Sequence, residues 1–154
     1  MSTKVLIAID RSGLPTLVPD ALASQNCPQD TEVLVLQVVE PILYSVPPEM
    51  SPGYAPELAA RRQADQENAK LALAHAVELL TKKGFKVSSR LVEGEIKEGI
   101  LSVAAEWAAN LIVVTSHARH GVEKFLHRSV AEGIVHRAPC SVLVLKEQEV
   151  GAAA

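Results

Sequence analysis

The amino-acid sequence predicts an α/β domain built on a doubly wound, five-stranded parallel sheet with helices on both faces. Two observations carry this. Short apolar runs recur at VLIAI (residues 5–9), VLVLQVV (33–39), LIVV (111–114) and SVLVL (141–145), rich in β-branched residues and mostly without alternation. Continuous runs of this length suit strands covered on both faces, as in a parallel sheet. Between them lie stretches of helical periodicity, and the order β-α-β-α-β-α-β-α-β with right-handed crossovers gives the doubly wound arrangement.

Taken in chain order, the first strand is followed by a weak helix over 14–24, because Pro19 would disturb a helix interior. After the second strand, residues 40–56 (EPILYSVPPEMSPGYAP) contain five prolines and little pattern. They read as a surface excursion near the rim, either a lid or a tolerated insertion. A long helix is expected over 57–83, where Ala69, Leu73, Ala76 and Leu80 repeat at spacings of four and three and Gly84 stands at the stop after Lys82 and Lys83. KVSSRLV (86–92) alternates and suits an edge strand. A helix over 95–109 places Ile96, Ile100, Val103 and Trp107 on one face. The last helix is expected over 129–137, closed by Ala138-Pro139. Residues 1–147 read as one domain and 148–154 as a flexible tail.

Composition narrows the function classes. A chain of 154 residues fits one domain with a proper core, and with aromatics at only 3% that core must be Val, Leu, Ile and Ala. The same scarcity argues against a stacking platform for single-stranded nucleic acid. A net charge of −3 gives no general pull toward nucleic acid or anionic membrane. Cys27 and Cys140 are far apart and form no C-x-x-C pair, which suits a reducing cytosol. The N-terminal apolar run is too short for a signal peptide or a membrane span. A soluble cytoplasmic protein is expected.

In doubly wound sheets ligands bind beyond the carboxyl ends of the strands at the switch point. That rule selects Asp10, the segment after Val39 and the loop after Val114. The loop and following helix read TSHARHGVEKFLHRSVAEG (115–133), with one glycine before the helix and a basic cluster of His117, Arg119, His120, Lys124, His127 and Arg128. Side-chain cations can hold phosphate, Arg with paired hydrogen bonds. Ser129-Val130-Ala131-Glu132 fits the S-x-x-E capping box, whose free amides are also those an anion would use. Asp10 either meets a ligand or caps the turn at Ser12-Gly13. The spacing of His117, His120 and His127 is not a zinc pattern, and no G-x-S-x-G elbow or Walker lysine motif occurs.

Several segments together resemble the universal stress protein family over residues 4–146: Ala8-Ile9-Asp10 ending the first strand, VLQVVEP after the second, VEGEIKEGILSVAAEWAANLIVV, and SVAEGIVHRAPCSVLVL with its Ala138-Pro139-Cys140 bend. The resemblance implies a Rossmann-like sheet of order 3-2-1-4-5, in the adenine nucleotide alpha hydrolase-like class. It also implies a nucleotide motif, G-x2-G-x9-G-[ST], after the fourth strand. Here Thr115, Ala118 and Arg128 stand at its three glycines and Ser129 at its hydroxyl. Glycine lets main-chain amides approach a phosphate. Thr115 suits ordinary β geometry, and Ala118 or Arg128 would enter a left-handed turn only at about 1 kcal/mol or more each.

By this resemblance the nucleotide-binding positions are Asp10, Val38, Thr115, Ser116, His117, Ala118, Arg119, Arg128, Ser129 and Val130. The last strand, with Ser141, Val142, Leu143, Val144 and Leu145, would pair across a two-fold axis to form a homodimer. Three readings follow. The first is a non-enzymatic homodimeric stress-response module with reduced or absent ATP binding, no required cofactor and a protein partner. The second is a sensor that holds ATP, AMP or a cyclic nucleotide through the basic loop and helix start. The third is a slow nucleotide hydrolase with His117 or His120 as base.

Overall fold

The computed structural model describes residues 2–11, 13–25, 27–28, 30–41, 51–117 and 122–147. Chain order is β1 (Lys4–Ile9), α1 (Leu17–Ala23), β2 (Glu32–Val39), α2 (Ser51–Lys82), β3 (Lys86–Glu93), α3 (Ile96–Trp107), β4 (Leu111–His117), α4 (Val122–Arg137) and β5 (Ser141–Glu147). The strands form one sheet in the order β3-β2-β1-β4-β5, and every pairing is parallel. This is the Rossmann-like, doubly wound arrangement that the run pattern and the resemblance imply.

Handedness explains where the helices lie. From β1 the chain steps outward to β2 and β3, so right-handed crossovers put α1 and α2 on one face. It then crosses back over β2 and β1 to β4 and steps on to β5, which puts α3 and α4 on the other. Each face has its own core. Val5, Ile7, Val33, Val35 and Val113 pack with Val18 and Leu22 of α1 and with Leu73, Ala76 and Leu80 of α2. Leu6, Leu34, Leu36, Ile112 and Val114 pack with Ile100, Val103 and Ala104 of α3 and with Ala131 and Ile134 of α4. Residues of both parities in the central strands are buried, so the runs show no polar alternation.

The helices differ in detail from the periodicity. Helix α1 is shorter than 14–24 and holds Pro19 in its first turn, where the missing N–H would have had no helical partner. Helix α2 starts at Ser51 and runs through Pro56, so residues 51–56 of the expected excursion are helical, while 42–50 lie outside the described residues. It stops as Gly84 requires: Gly84, at φ 97°, donates to the Thr81 carbonyl (2.9 Å) and Phe85 to the Leu80 carbonyl (3.3 Å), which closes a Schellman turn. Helix α3 begins where the Glu95 carboxylate accepts from the Glu98 amide at 2.9 Å. Strand β3 is an edge strand, as its alternation predicts, with Lys86, Ser88, Ser89 and Glu93 exposed. No helix among the described residues is long and apolar enough to cross a membrane. The expected tail, residues 148–154, lies outside them.

Candidate functional site

The sheet opens at its switch point. The ladder between β1 and β4 ends at Ile7↔Val113, and the ladder between β1 and β2 ends at Ile9↔Gln37. Both neighbours run farther: β2 continues to Val39, and β4 to His117, still paired with Glu147 of β5. Counting on from Ile7↔Val113, Ile9 stands level with Thr115, so each neighbour rises two residues above the end of β1. The hydrogen-bonded sheet is therefore notched at β1, between β2 and β4, by two residues or about 7 Å of strand rise. A doubly wound sheet holds its ligands at this place.

Asp10 forms the floor. The chain leaves β1 there in a tight turn in which the Gly13 amide donates to the Asp10 carbonyl at 3.0 Å. Gly13, at φ 83°, supplies the left-handed conformation that closes the turn. The β2 wall is Val38 and Val39. Val38 packs against Gly99 of α3, where a β-carbon would lie 2.8 and 2.9 Å from its two methyls. The Gly94 amide donates to the Val39 carbonyl at 2.9 Å and ties the β3–α3 turn to this wall.

The β4 wall begins at Thr115. The strand does not end at Val114, as expected, but continues through Thr115, Ser116 and His117, with Thr115 opposite Leu145. The β-branched Thr115 thus has the β geometry that its side chain favours. Ala118 and Arg119 lie outside the described residues, as does His120, and for Ser116, His117 and Arg128 only the main chain is described.

The capping box at Ser129 is not formed. Helix α4 starts at Val122, which puts Arg128 and Ser129 inside it, Ser129 roughly two turns from the start and exposed. Inside a helix each amide donates to the carbonyl four residues back, so the amides of 129–132 are not free for an anion. Val130 is half-buried against the α3/α4 core. A physical reason lies in Arg128. Arginine is a good helix former and glycine costs about 1 kcal/mol more, so the helix meets no break before Ser129.

Beside the notch, α2 and the rim of β2 and β3 enclose a shallow hollow lined by Val39, Glu40, Pro41, Arg62, Asp65, Gln66 and Glu93. The Glu93 carboxylate accepts from the Arg62 guanidinium (2.8 Å) and from Gln66 Nε2 (3.2 Å). On the opposite face the exposed Glu98–Arg137 ion pair ties α3 to α4, and the hydrogen bond and charge of Arg137 hold the Glu98 carboxyl below the usual range. Burial pushes the Cys140 thiol up from its ordinary value, which disfavours the thiolate. One buried polar group had escaped the sequence reading. Gln37, the one polar residue in the run VLVLQVV, is 4% exposed, and strand parity places its carboxamide on the α1/α2 face, opposite to Val38.

The sequence profile of the universal stress protein family matches residues 1–146. The chain belongs to the universal stress protein family. Universal stress protein YxiE of Bacillus subtilis is 28% identical over 149 residues, which cover 95% of this chain and 100% of that one. Among solved structures, hypothetical protein MJ0577 superposes with a TM-score of 0.76 at 23% identity, over 97% of this chain and 99% of that one. A universal stress protein of Arabidopsis thaliana with AMP bound is similar at a TM-score of 0.64 and 18% identity, over 95% of this chain and 92% of that one. Universal stress proteins in complex with dAMP, from Archaeoglobus fulgidus, and with cAMP share the fold at TM-scores of 0.59 and 0.61. At such identities the likeness of these structures is one of fold. At the three glycine positions of the nucleotide motif that the resemblance implies, this universal stress protein has Thr115, Ala118 and Arg128, and α4 runs through Arg128 and Ser129.

Proposed function

We propose that this universal stress protein is a non-enzymatic sensor that binds an adenine nucleotide, AMP or cyclic AMP in preference to ATP, in the notch at the switch point. The observation that carries the reading is the missing-strand notch itself, formed because β1 stops two residues short of both neighbours. The relatives of this fold that hold AMP, dAMP and cAMP support the choice of ligand. Asp10 and Val38 face the nucleoside. By the family resemblance, Thr115, Ser116, His117, Ala118, Arg119, Arg128, Ser129 and Val130 are the positions assigned to its phosphate. The preference for a monophosphate follows from α4: with the amides of 129–132 engaged in the helix, the long main-chain cradle for a triphosphate is not available.

The working unit is residues 1–147 in the cytoplasm, as a homodimer through Ser141, Val142, Leu143, Val144 and Leu145 of β5. Among the described residues strand β5 pairs with β4 on one side only, and an edge of half-buried valines and leucines suits a second copy. Calorimetry on nucleotide-stripped protein with AMP, cAMP and ATP tests the reading. Micromolar AMP or cAMP with weaker ATP is expected; millimolar or weaker binding of all three overturns it. The second reading, a partner-binding module without nucleotide, draws on the placement of Ser129 inside α4, and that null titration is its expected outcome.

A further inference from the structure

Across the bare backbone of Gly133 in α4 lies a lysine from another helix. A β-carbon at Gly133 would stand 2.6 Å from Lys97 Cδ and 3.6 Å from its Nζ, so Lys97 reaches from the first turn of α3 over to α4. Packing alone does not account for this glycine, which costs the helix about 1 kcal/mol while a flexible lysine could lie elsewhere. The carboxylate beside Lys97 does not account for it either. Glu98 is taken by Arg137, and Lys97 contributes the least of what lowers that carboxyl. The location bears on the notch. Val38 and Val114 belong to the α3/α4 core, so a ligand against Val38 lies on that face of the sheet. One flank of α3 rests on Val38 through Gly99, and the other carries Lys97 to Gly133. Gly133 stands about one turn after Ser129, a position that the family resemblance assigns to phosphate. The ammonium is thus held between the wall proposed for the nucleoside and the stretch of α4 assigned to phosphate.

We infer that Lys97 holds the phosphate of the bound nucleotide, and that Gly133 is the positioning residue whose missing side chain lets the lysine lie across α4. The inference rests on the nucleotide-binding reading above and names a phosphate-holding group outside the motif that the family resemblance implies. An amide cradle is not available where the amides of 129–132 are engaged in α4. A lysine ammonium supplies instead a compact charge with three donors on a flexible stem, which suits a phosphate dianion. Laid against α4, the stem keeps that charge on the notch side of the helix pair.

The test is calorimetric titration of the full chain with AMP and with adenosine, which lacks the phosphate. The wild-type protein should bind AMP more tightly than adenosine. In Lys97→Met the affinity for AMP should fall about tenfold or more, the loss of one charge-assisted hydrogen bond, while that for adenosine stays the same. Lys97→Arg, which keeps the charge, should retain part of the difference between the two ligands. Gly133→Ala should melt at a higher temperature yet bind AMP about threefold or more weakly, and in the Lys97→Met background it should do nothing further to AMP. A folded Lys97→Met that binds AMP as the wild type does overturns the inference, while nucleotide binding stands. An equal loss for adenosine overturns it too, since the substitution would then act on the notch and not on the phosphate. Full AMP affinity in Gly133→Ala overturns the positioning role. If the wild-type protein binds no AMP at millimolar concentration, the nucleotide reading itself fails and the inference falls with it.

Discussion

Gly99 of α3 lies so close to Val38 of β2 that a β-carbon at position 99 would sit 2.8 Å from one Val38 methyl and 2.9 Å from the other. Glycine in a helix interior costs about 1 kcal/mol relative to alanine, so Gly99→Ala would gain that much from propensity alone. Overpacking against a strand side chain costs about 1–3 kcal/mol, because the β-branched Val38 is stiff at χ1 and has no flexible end to swing aside. The clash therefore wins. Gly99→Ala should lower stability by about 1 kcal/mol in urea unfolding and weaken AMP binding by displacing the notch wall.

Gly133 of α4 predicts the opposite sign. A β-carbon there would meet Lys97 Cδ at 2.6 Å, closer than at Gly99, but the neighbour belongs to a flexible side chain. Lys97 can rotate away at little cost, so the helix-propensity gain remains. Gly133→Ala should raise stability by about 0.5–1 kcal/mol in the same experiment. An equal loss at both sites would show that proximity alone decides, irrespective of what the β-carbon meets.

Helix α3 ends on Ala108 in the left-handed conformation, at φ 59°, with Ala109 donating to the Ala104 carbonyl at 2.9 Å. The same hydrogen-bonding pattern closes α2, where Gly84 takes this role. An L-residue with a β-carbon pays about 1–2 kcal/mol for this backbone, and glycine does not, although its unfolded chain is freer by somewhat less than that. Ala108→Gly should therefore raise stability by about 0.5–1 kcal/mol, read as a higher urea midpoint with unchanged m-value.

These contrasts show what the sequence reveals and what it hides. The two-faced core was legible because parity fails in the strand runs, where Val33 and Leu34 are both buried on opposite faces, whereas the sheet order was implied by the family resemblance and not by the pattern. The end of α2 was legible because Gly84 has one role there. The start of α4 was not. The pattern S-x-x-E at Ser129 is a true cap signal, but a cap forms only where the preceding residues leave the helix, and Arg128 favours continuing it. Gln37 was hidden for a different reason. A single polar residue in an apolar run reads as tolerated variation until the register places it at the end of β1.

The Glu98–Arg137 pair predicts a pH dependence whose sign follows from the lowered Glu98 carboxyl. Arg137 stabilises the ionised form, by hydrogen bond first and by charge second, and so the folded-state pKa lies below the unfolded value. A depressed carboxyl contributes stability that is fully present above the unfolded value, roughly pH 4–5, and is lost as pH falls through the folded one. Both side chains are about half exposed, at 55% each, so the contribution is small and screened by salt. Between pH 6 and pH 3 the melting temperature of Glu98→Gln should fall less steeply than that of the wild type. Added salt should narrow the difference. Parallel curves would show that the pair holds α3 and α4 no better than solvent does.

Arg128 tests whether helix continuity limits the grip on phosphate. Arg128→Gly places a glycine in the interior of α4, at a cost of about 1 kcal/mol to the helix, and leaves the Ser129–Glu132 box as an alternative start. Circular dichroism should show a loss equivalent to roughly two turns, those between Val122 and Ser129. The amides then freed at the new start are anion donors, and the helix no longer competes for them. The affinity for ATP should rise by about fivefold, the factor that corresponds to 1 kcal/mol, and more than the affinity for AMP, because only the longer phosphate chain needs the added donors. Lost helix without a gain for ATP would instead place the phosphate grip on side chains, with the Arg128 guanidinium among them.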